Sequence, residues 1–201
     1  MISLEACEPF FQYMRKSVKL DSDTMQLIAE HAKEVSLPPK EFIVKEGGGC
    51  VKVYFMVAGK ARSYYTDSSG MTITWSFLFN NDGSISKNLF ALDYRAFLTN
   101  TPSSMSIETL TEVNTLMFTR EAVNDLIDKS SIYEKWMRKF NESVYLYMHD
   151  RTFTLLTMSA TERYHKLITE EPCLLEMFSN YYIASYLGIA PQSLSRIRTH
   201  H

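Results

Sequence analysis

The sequence predicts an α+β protein in which an N-terminal antiparallel β block is followed by helices to the end of the chain. Three observations carry this. Between residues 40 and 118, β-branched and aromatic runs alternate with turn residues; after Thr119 helical periodicity returns; and residues 181–198 have the spacing of two short helices joined by a tight turn. At 201 residues the chain can bury a core in one large domain or two small ones.

Residues 23–34 (DTMQLIAEHAKE) place Leu27, Ile28 and Ala32 on one helical face, with Asp21 or Ser22 as cap. Pro38-Pro39 is expected to end that segment, because neither ring nitrogen can donate a helical hydrogen bond. Strand-like runs follow at 42–44, 51–57, 61–66, 71–79, 104–110 and 115–118. They are separated by turn chemistry at Gly47-Gly48-Gly49, Ala58-Gly59-Lys60 and Asp67-Ser68-Ser69-Gly70. Short strands at this spacing point to a sandwich, roll or barrel. The stretch 80–100 interrupts them, and its LFALDYRAFL portion reads as a short helix.

A short helix is expected near 120–128 and a long one over 132–157. In the long helix Met137, Phe140, Val144, Tyr147, Arg151 and Leu155 recur at spacings of three and four, close to a heptad seam with one polar member. A helix of ~26 residues spans ~39 Å, a length that suits pairing with a second copy. Helices over 160–170, 180–187 and 191–198 complete the chain, with a break at Pro172 and a domain boundary near Met158-Ser159.

The segment richest in chemistry is YYIASYLGIAPQSLSRIR, residues 181–198. Ile183, Ala184 and Leu187 form the inner face of a first helix, and small Ala184 lets a second helix cross closely. Gly188 supplies the positive φ of a tight turn, Ile189 plugs the core, and Pro191 occupies the first turn of the next helix. Leu194 and Ile197 then face inward, leaving Gln192, Ser193, Ser195, Arg196 and Thr199 outward. That is the layout of a helix-turn-helix whose second helix enters the major groove of double-stranded DNA by its N-terminal end. Gln192 suits a bidentate contact to adenine and Arg196 one to guanine, while Ser193 and Ser195 suit phosphate oxygens.

Net charge is −2, so affinity for DNA has to come from a few placed cations. Residues 151–201 carry five basic groups against four acidic ones. The hydrophobic share of 45% and charged share of 22% are ordinary for a globular protein. No apolar run approaches the ~18 residues of a membrane span, and MISLE lacks the flanks of a signal peptide. A cytoplasmic location without a membrane partner is expected. Cys7, Cys50 and Cys173 lie far apart without a Cys-x-x-Cys pair and read as free thiols. The glycosylation sequon at Asn141-Glu142-Ser143 carries no weight without a secretory signal.

The segment IASYLGIAPQSLSRIR resembles the helix-turn-helix of the Crp/Fnr regulators, in the branch found in Bacteroidetes-type bacteria. VKVYFMVAG (51–59), KARSYY (60–65), FLTNTPSSMSIETL (97–110) and LLTMSATERYHKLI (155–168) agree with it, so the resemblance spans roughly 20–198. It implies a cyclic-nucleotide-binding-like β-roll, or double-stranded β-helix, with flanking helices over 1–130, a dimerisation helix over 131–158, and a winged-helix-type DNA-binding domain over 159–201. It implies further a homodimer on a two-fold symmetric operator, and admits RNA polymerase and a small-molecule effector as partners.

Some departures from the family pattern bear on function. Members that bind cyclic nucleotide use a Gly-Glu pair for the ribose and an Arg-Ser/Thr pair for the phosphate. The corresponding residues here are Asn81-Asp82-Gly83-Ser84-Ile85-Ser86-Lys87 and Pro102-Ser103-Ser104-Met105, which lack both. A buried phosphate without a cation is costly, so tight cAMP binding is not expected. Arg95, the one arginine nearby, is expected to be a solvated helix residue. Three dispersed cysteines are too few for an iron–sulfur cluster, and no histidine lies in 40–118 to hold haem. Ala190 stands at the cap of the second helix, where many relatives carry Ser or Thr. Pro191 stands where some carry a base-contacting arginine.

The effector is left unidentified; Tyr64, Trp75, Phe77, Phe79 and Phe90 are the candidates to line an apolar pocket, or else simply core. An enzyme on a cupin-like roll is disfavoured. His31, His149, His165, His200 and His201 do not cluster, His149 and Asp150 point apart on one helix, and neither a Gly-x-Ser-x-Gly elbow nor a phosphate loop is present. No catalytic residue, metal ligand or cofactor is assigned. The alternative function is a ligand-binding or protein-interaction module with a vestigial helix-turn-helix. His200-His201 read equally as native residues or as the remnant of an added tag.

Overall fold

A computed structural model describes residues 1–199, Ser86 by its backbone alone; His200 and His201 lie outside the described residues. The chain divides into two compact units, one of Met1–Ser63 with Phe77–Val144, the other of Tyr64–Ser76 with Tyr145–His201.

The first unit opens with helix α1 (Glu8–Arg15), which buries Phe10, Phe11 and Met14. Asp21, rather than Ser22, caps helix α2 (Ser22–His31), its carboxylate accepting from the Thr24 N–H at 2.8 Å. This helix stops at His31, well short of the prolines. Lys33–Leu37 instead forms strand β1, and Pro38-Pro39 sit in the exposed loop after it. The run from Lys33 opposite Met117 to Leu37 opposite Val113 pairs as a ladder, so sheet pairing overrides the helix propensity of Lys33-Glu34.

The chain continues through β2 (Phe42–Val44), β3 (Lys52–Ala58), β4 (Lys60–Thr66), β5 (Thr72–Phe79), α3 (Ser86–Leu89), β6 (Phe90–Ala91), α4 (Tyr94–Thr99), β7 (Ser106–Thr109), β8 (Val113–Thr119) and α5 (Arg120–Lys129). The strands form two four-stranded sheets, β1-β8-β3-β6 and β2-β7-β4-β5. The pairs β1–β8, β3–β8, β3–β6 and β2–β7 are antiparallel. At the β3–β4 turn Gly59 has φ +90°, and a Cβ there would lie 2.2 Å from the Glu112 carbonyl oxygen. Only glycine fits.

The stretch expected as one helix, LFALDYRAFL, is divided. Phe90–Ala91 pairs with β3, and helix begins again at Tyr94 because the Asp93 carboxylate accepts from the Ala96 N–H at 3.0 Å and caps it there. The aromatic residues explain themselves in this unit's core. Phe10 packs on Phe55, Phe118 and Trp136 with ring centroids 5.1–5.4 Å apart, and Phe90 packs on Phe140 at 4.7 Å.

Helix α6 (Ser131–Thr157) contributes residues to both units, as far as Val144 to the first and from Tyr145 to the second. Of the predicted seam, Phe140 and Arg151 are buried within their units, and Met137, Val144, Tyr147 and Leu155 are half-buried. Phe140 is buried on Phe90, the Tyr147 hydroxyl donates to the Trp75 carbonyl at 3.3 Å, and Arg151 is buried. The outward apolar side chains are Tyr145, Leu146, Phe153 and Leu156, each more than half exposed. Both faces of this helix are apolar, so periodicity alone does not choose between them.

In the second unit α7 (Ala160–Glu170) starts with a reciprocal capping box between Ser159 and Glu162. Helices α8 (Cys173–Met177), α9 (Asn180–Leu187) and α10 (Pro191–Thr199) follow, and every element after Thr157 among the described residues is helical. Tyr164, Leu167, Leu174, Phe178, Ile183, Ala184, Leu187 and Leu194 supply its core.

Candidate nucleic-acid interface

Ser179 caps α9 through the Tyr182 N–H, and Ile183, Ala184, Tyr186 and Leu187 are buried on its inner side. Gly188 ends the helix at φ +67°, and the Ile189 N–H returns to the Ala184 carbonyl at 3.0 Å. That left-handed residue followed by a backward hydrogen bond is what turns the chain sharply into α10. Pro191 occupies the first helical position, where its missing N–H costs nothing. Ala190 has no side-chain oxygen, and its carbonyl accepts from Ser193 and Leu194 at 3.0 and 3.2 Å.

Leu194 is 1% exposed and anchors α10 onto α9, while Ile197 is half-buried. Gln192, Ser195, Arg196, Arg198 and Thr199 are exposed and Ser193 half-buried. Gln192, Arg196 and Thr199 stand at i, i+4 and i+7, which puts them on one stripe. The Arg196 guanidinium donates to the Ser193 hydroxyl at 3.3 Å, so Ser193 joins this stripe. Ser195 lies beside it, next to Thr199. They line a polar cleft of about 220 Å³ together with Asn180, Pro191, Leu194 and Arg198.

Arg198 was missed by sequence reasoning. Its guanidinium donates to the Asn180 side-chain oxygen at 2.8 Å, placing an exposed cation where α9 begins. The Arg-x-Arg spacing at 196 and 198 was the available signal. The other basic side chains of this unit are already engaged. Arg163 donates to the carbonyls of Leu187 and Met158 at 2.9 and 2.8 Å, and Lys166 to Asp150 and Glu170 at 3.3 and 3.0 Å. Arg151 is 4% exposed, donates to the Tyr186 carbonyl at 2.5 Å and stacks over the Tyr186 ring at 3.9 Å.

The outer side of α9 is held by the hairpin end of the same unit. Ser185 accepts from the Thr74 N–H at 2.9 Å and donates to the Thr72 carbonyl at 2.7 Å. No local pattern in the sequence announces a contact of such long range.

In the first unit, the loop 102–105, where the resemblance leads one to expect a phosphate-binding pair, is closed by a side chain of this protein. Asp93, 3% exposed, accepts from the Ser103 hydroxyl at 2.8 Å and the Ser104 N–H at 3.0 Å, besides capping α4. Burial pushes its carboxyl up. The hydrogen bonds from Ala96, Ser103 and Ser104, aided by the Arg95 charge, outweigh burial and hold it below the usual value. Arg95 is exposed, as expected, and donates to Thr101 and the Pro102 carbonyl at 3.0 and 3.1 Å. Within 81–87, the Ser84 hydroxyl donates to the Asn81 side-chain oxygen at 3.0 Å.

The five aromatic candidates for an effector pocket are divided between the two units. Tyr64 and Trp75 belong to the second unit; Phe77, Phe79 and Phe90 belong to the first. Phe77 and Phe79 are core residues, Trp75 packs against Tyr65 and Tyr147, and Phe90 lines a cavity with other partners. Cys7 and Cys50 are buried and Cys173 half-buried, and burial pushes the Cys7 thiol up to about 11. Among the described residues no group of three His, Cys, Asp or Glu side chains is placed to hold a metal ion, and no helix is long and apolar enough to cross a membrane.

Residues 34–130 match the cyclic nucleotide-binding domain family. No curated protein matches the sequence. Solved structures of similar fold include FixK2 from Bradyrhizobium japonicum (18% identity over 84% of this chain and 83% of that one, TM-score 0.70). A putative transcriptional regulator of the crp/fnr family from Eubacterium rectale is similar at 15% identity over 90% of this chain and 83% of its own, with TM-score 0.66. The c-di-GMP responsive global regulator CLP of Xanthomonas campestris is similar at 12% identity over 90% and 91%, with TM-score 0.67. At such identities the likeness is one of fold. Residues 34–130 are thus similar to a cyclic nucleotide-binding domain, and the chain shares the fold of these solved regulators.

Proposed function

We infer that the chain is a sequence-specific DNA-binding transcription regulator on the Crp/Fnr plan, with α9 and α10 as reading head and α6 pairing two copies. One observation carries the reading. A sharp turn at Gly188 and a buried anchor at Leu194 hold a second helix whose other side presents Gln192, Ser193, Arg196 and Thr199 in one stripe. An α-helix fits the major groove, and Gln and Arg match adenine and guanine edges there. Ser195 and Arg198, beside Asn180, suit the phosphates flanking the groove.

A homodimer follows from the exposed residues Leu146, Phe153 and Leu156, with His149 completing a three-four-three repeat along α6. Cyclic nucleotide is not the effector in this reading, because the serine loop that would receive the phosphate is spent on Asp93. Calorimetry with cAMP is expected to give no heat of binding; a micromolar site would contradict this.

The reading is tested by selecting bound fragments from genomic DNA and titrating salt. Arg196 and Arg198 give four cations per dimer, so affinity should fall about 10²-fold between 50 and 200 mM salt. Absence of any binding at low salt would favour the rival, an interaction module with a vestigial helix-turn-helix. Three of the five basic side chains after residue 150 being held within the fold is the observation on that side.

A further inference from the structure

In the first unit a cavity of about 130 Å³ lies between α4, α5 and the first half of α6. It is a partly open cleft, so a small molecule can reach it from the rim. Its wall is aromatic and aliphatic, including Phe90, Phe97, Phe118, Ile127 and Trp136. Its rim is marked by exposed Leu98, Asn124 and Asn141, and there the Tyr94 hydroxyl donates to the Asn141 side-chain oxygen.

A second observation gives the ligand a polar feature. Tyr133 lines the same cavity and is 2% exposed, and among the described residues its phenol O–H has no hydrogen-bond partner. Burial of the residue keeps this phenol in its protonated, donating form, so it can offer its O–H to an acceptor entering the cavity. An apolar cavity of ~150 Å³ accepts a molecule the size of benzene. No cation lines the wall, so an anion would enter uncompensated.

We propose that this cavity is a binding site for a small neutral ligand, an apolar ring or short acyl body bearing one hydrogen-bond acceptor oxygen that takes the Tyr133 proton. The site is separate from the loop closed by Asp93, and it uses only one of the aromatic residues singled out in the sequence, Phe90. It stands whether or not the chain binds DNA, since the measurement below reads the ligand alone.

The test is an NMR titration of the full chain with cyclohexanone, benzene and benzoate as probes. Cyclohexanone is expected to saturate with a dissociation constant of ~1 mM or below, with shifts in α4, α5 and the first half of α6. Benzene should bind several-fold more weakly, and benzoate not at all. Tyr133→Phe should erase the preference for cyclohexanone over benzene while leaving benzene binding intact. Ile127→Phe should fill the space and lower affinity for both at least tenfold. Leu98→Trp, on an exposed residue at the rim, serves the same purpose if the interior variant fails to fold. Absence of saturation by cyclohexanone up to its solubility would overturn the proposal. So would equal binding by the Tyr133→Phe variant with its preference retained, or binding undiminished in both filled variants.

Discussion

Two places in this molecule have the groups to receive an anion, and they have opposite fates. At residues 102–105 the Ser103 hydroxyl and the Ser104 N–H are turned inward onto Asp93, which is 3% exposed. At the start of α10 Gln192 and Ser195 are exposed, and Arg196 and Arg198 bond to the neutral oxygens of Ser193 and Asn180. A neutral partner is readily exchanged for a phosphate or a base edge, whereas a buried carboxylate is not. The comparison teaches that, on the proposed reading, the donors of α10 stay open to exchange while those of 102–105 are taken up by Asp93.

The comparison can be broken from either side. The largest effect is expected from Phe10→Ala, which empties the centre of the aromatic cluster on which the first unit depends. A loss of about 3–5 kcal/mol is expected in denaturant unfolding monitored by tryptophan fluorescence, Trp136 being in contact with the deleted ring.

Asp93→Asn comes next. It removes a charge that two donors and a helix cap were arranged to hold, for a loss of about 1.5–3 kcal/mol at neutral pH. The folded pKa of Asp93 lies below its unfolded value, so its contribution is present above pH ~4 and disappears as pH falls through the folded value. The variant should therefore be less stable than wild type at pH 7 and nearly equal to it in acid. A constant difference across the pH range would show that Asp93 acts through packing and not through charge.

Gly188→Ala is expected to cost about 1–2 kcal/mol, because φ +67° puts the new Cβ against the following carbonyl while nothing else lies within 4 Å. The smallest effect runs the other way. Ala190→Ser supplies the missing cap on α10 and should raise melting stability by about 0.5–1 kcal/mol, sharpening the head without altering its face.

How much of this was legible in the sequence follows from what each signal depends on. The strands from Phe42 to Phe79 and the pair α9–α10 were legible, because alternation, turn residues and the Gly188–Pro191 spacing are local. Helix α1 went unassigned although Phe10, Phe11 and Met14 already stand at helical spacing. Strand β1 was hidden, because Lys33-Glu34-Val35-Ser36-Leu37 is half polar and becomes a strand only through its pairing with β8. Periodicity could not rank the faces of α6, because the helix is apolar on both sides and only folding buries Phe140 and Arg151. In the candidate site Gln192, Ser193, Ser195, Arg196 and Thr199 were legible from position along one helix. The tie of Arg198 to Asn180, the hold of Ser185 on Thr72 and Thr74, and the closing of 102–105 by Asp93 join residues that only folding brings together.

The central claim is that the stripe on α10 reads bases, and Arg196→Ala tests it most directly. On fragments selected by the wild-type chain, binding measured across all single-base variants should lose about 1–3 kcal/mol of discrimination at one position of each half-site, with folding and dimerisation intact. A uniform loss across every position, or no loss at all, would contradict base reading by this residue and with it the account of the head.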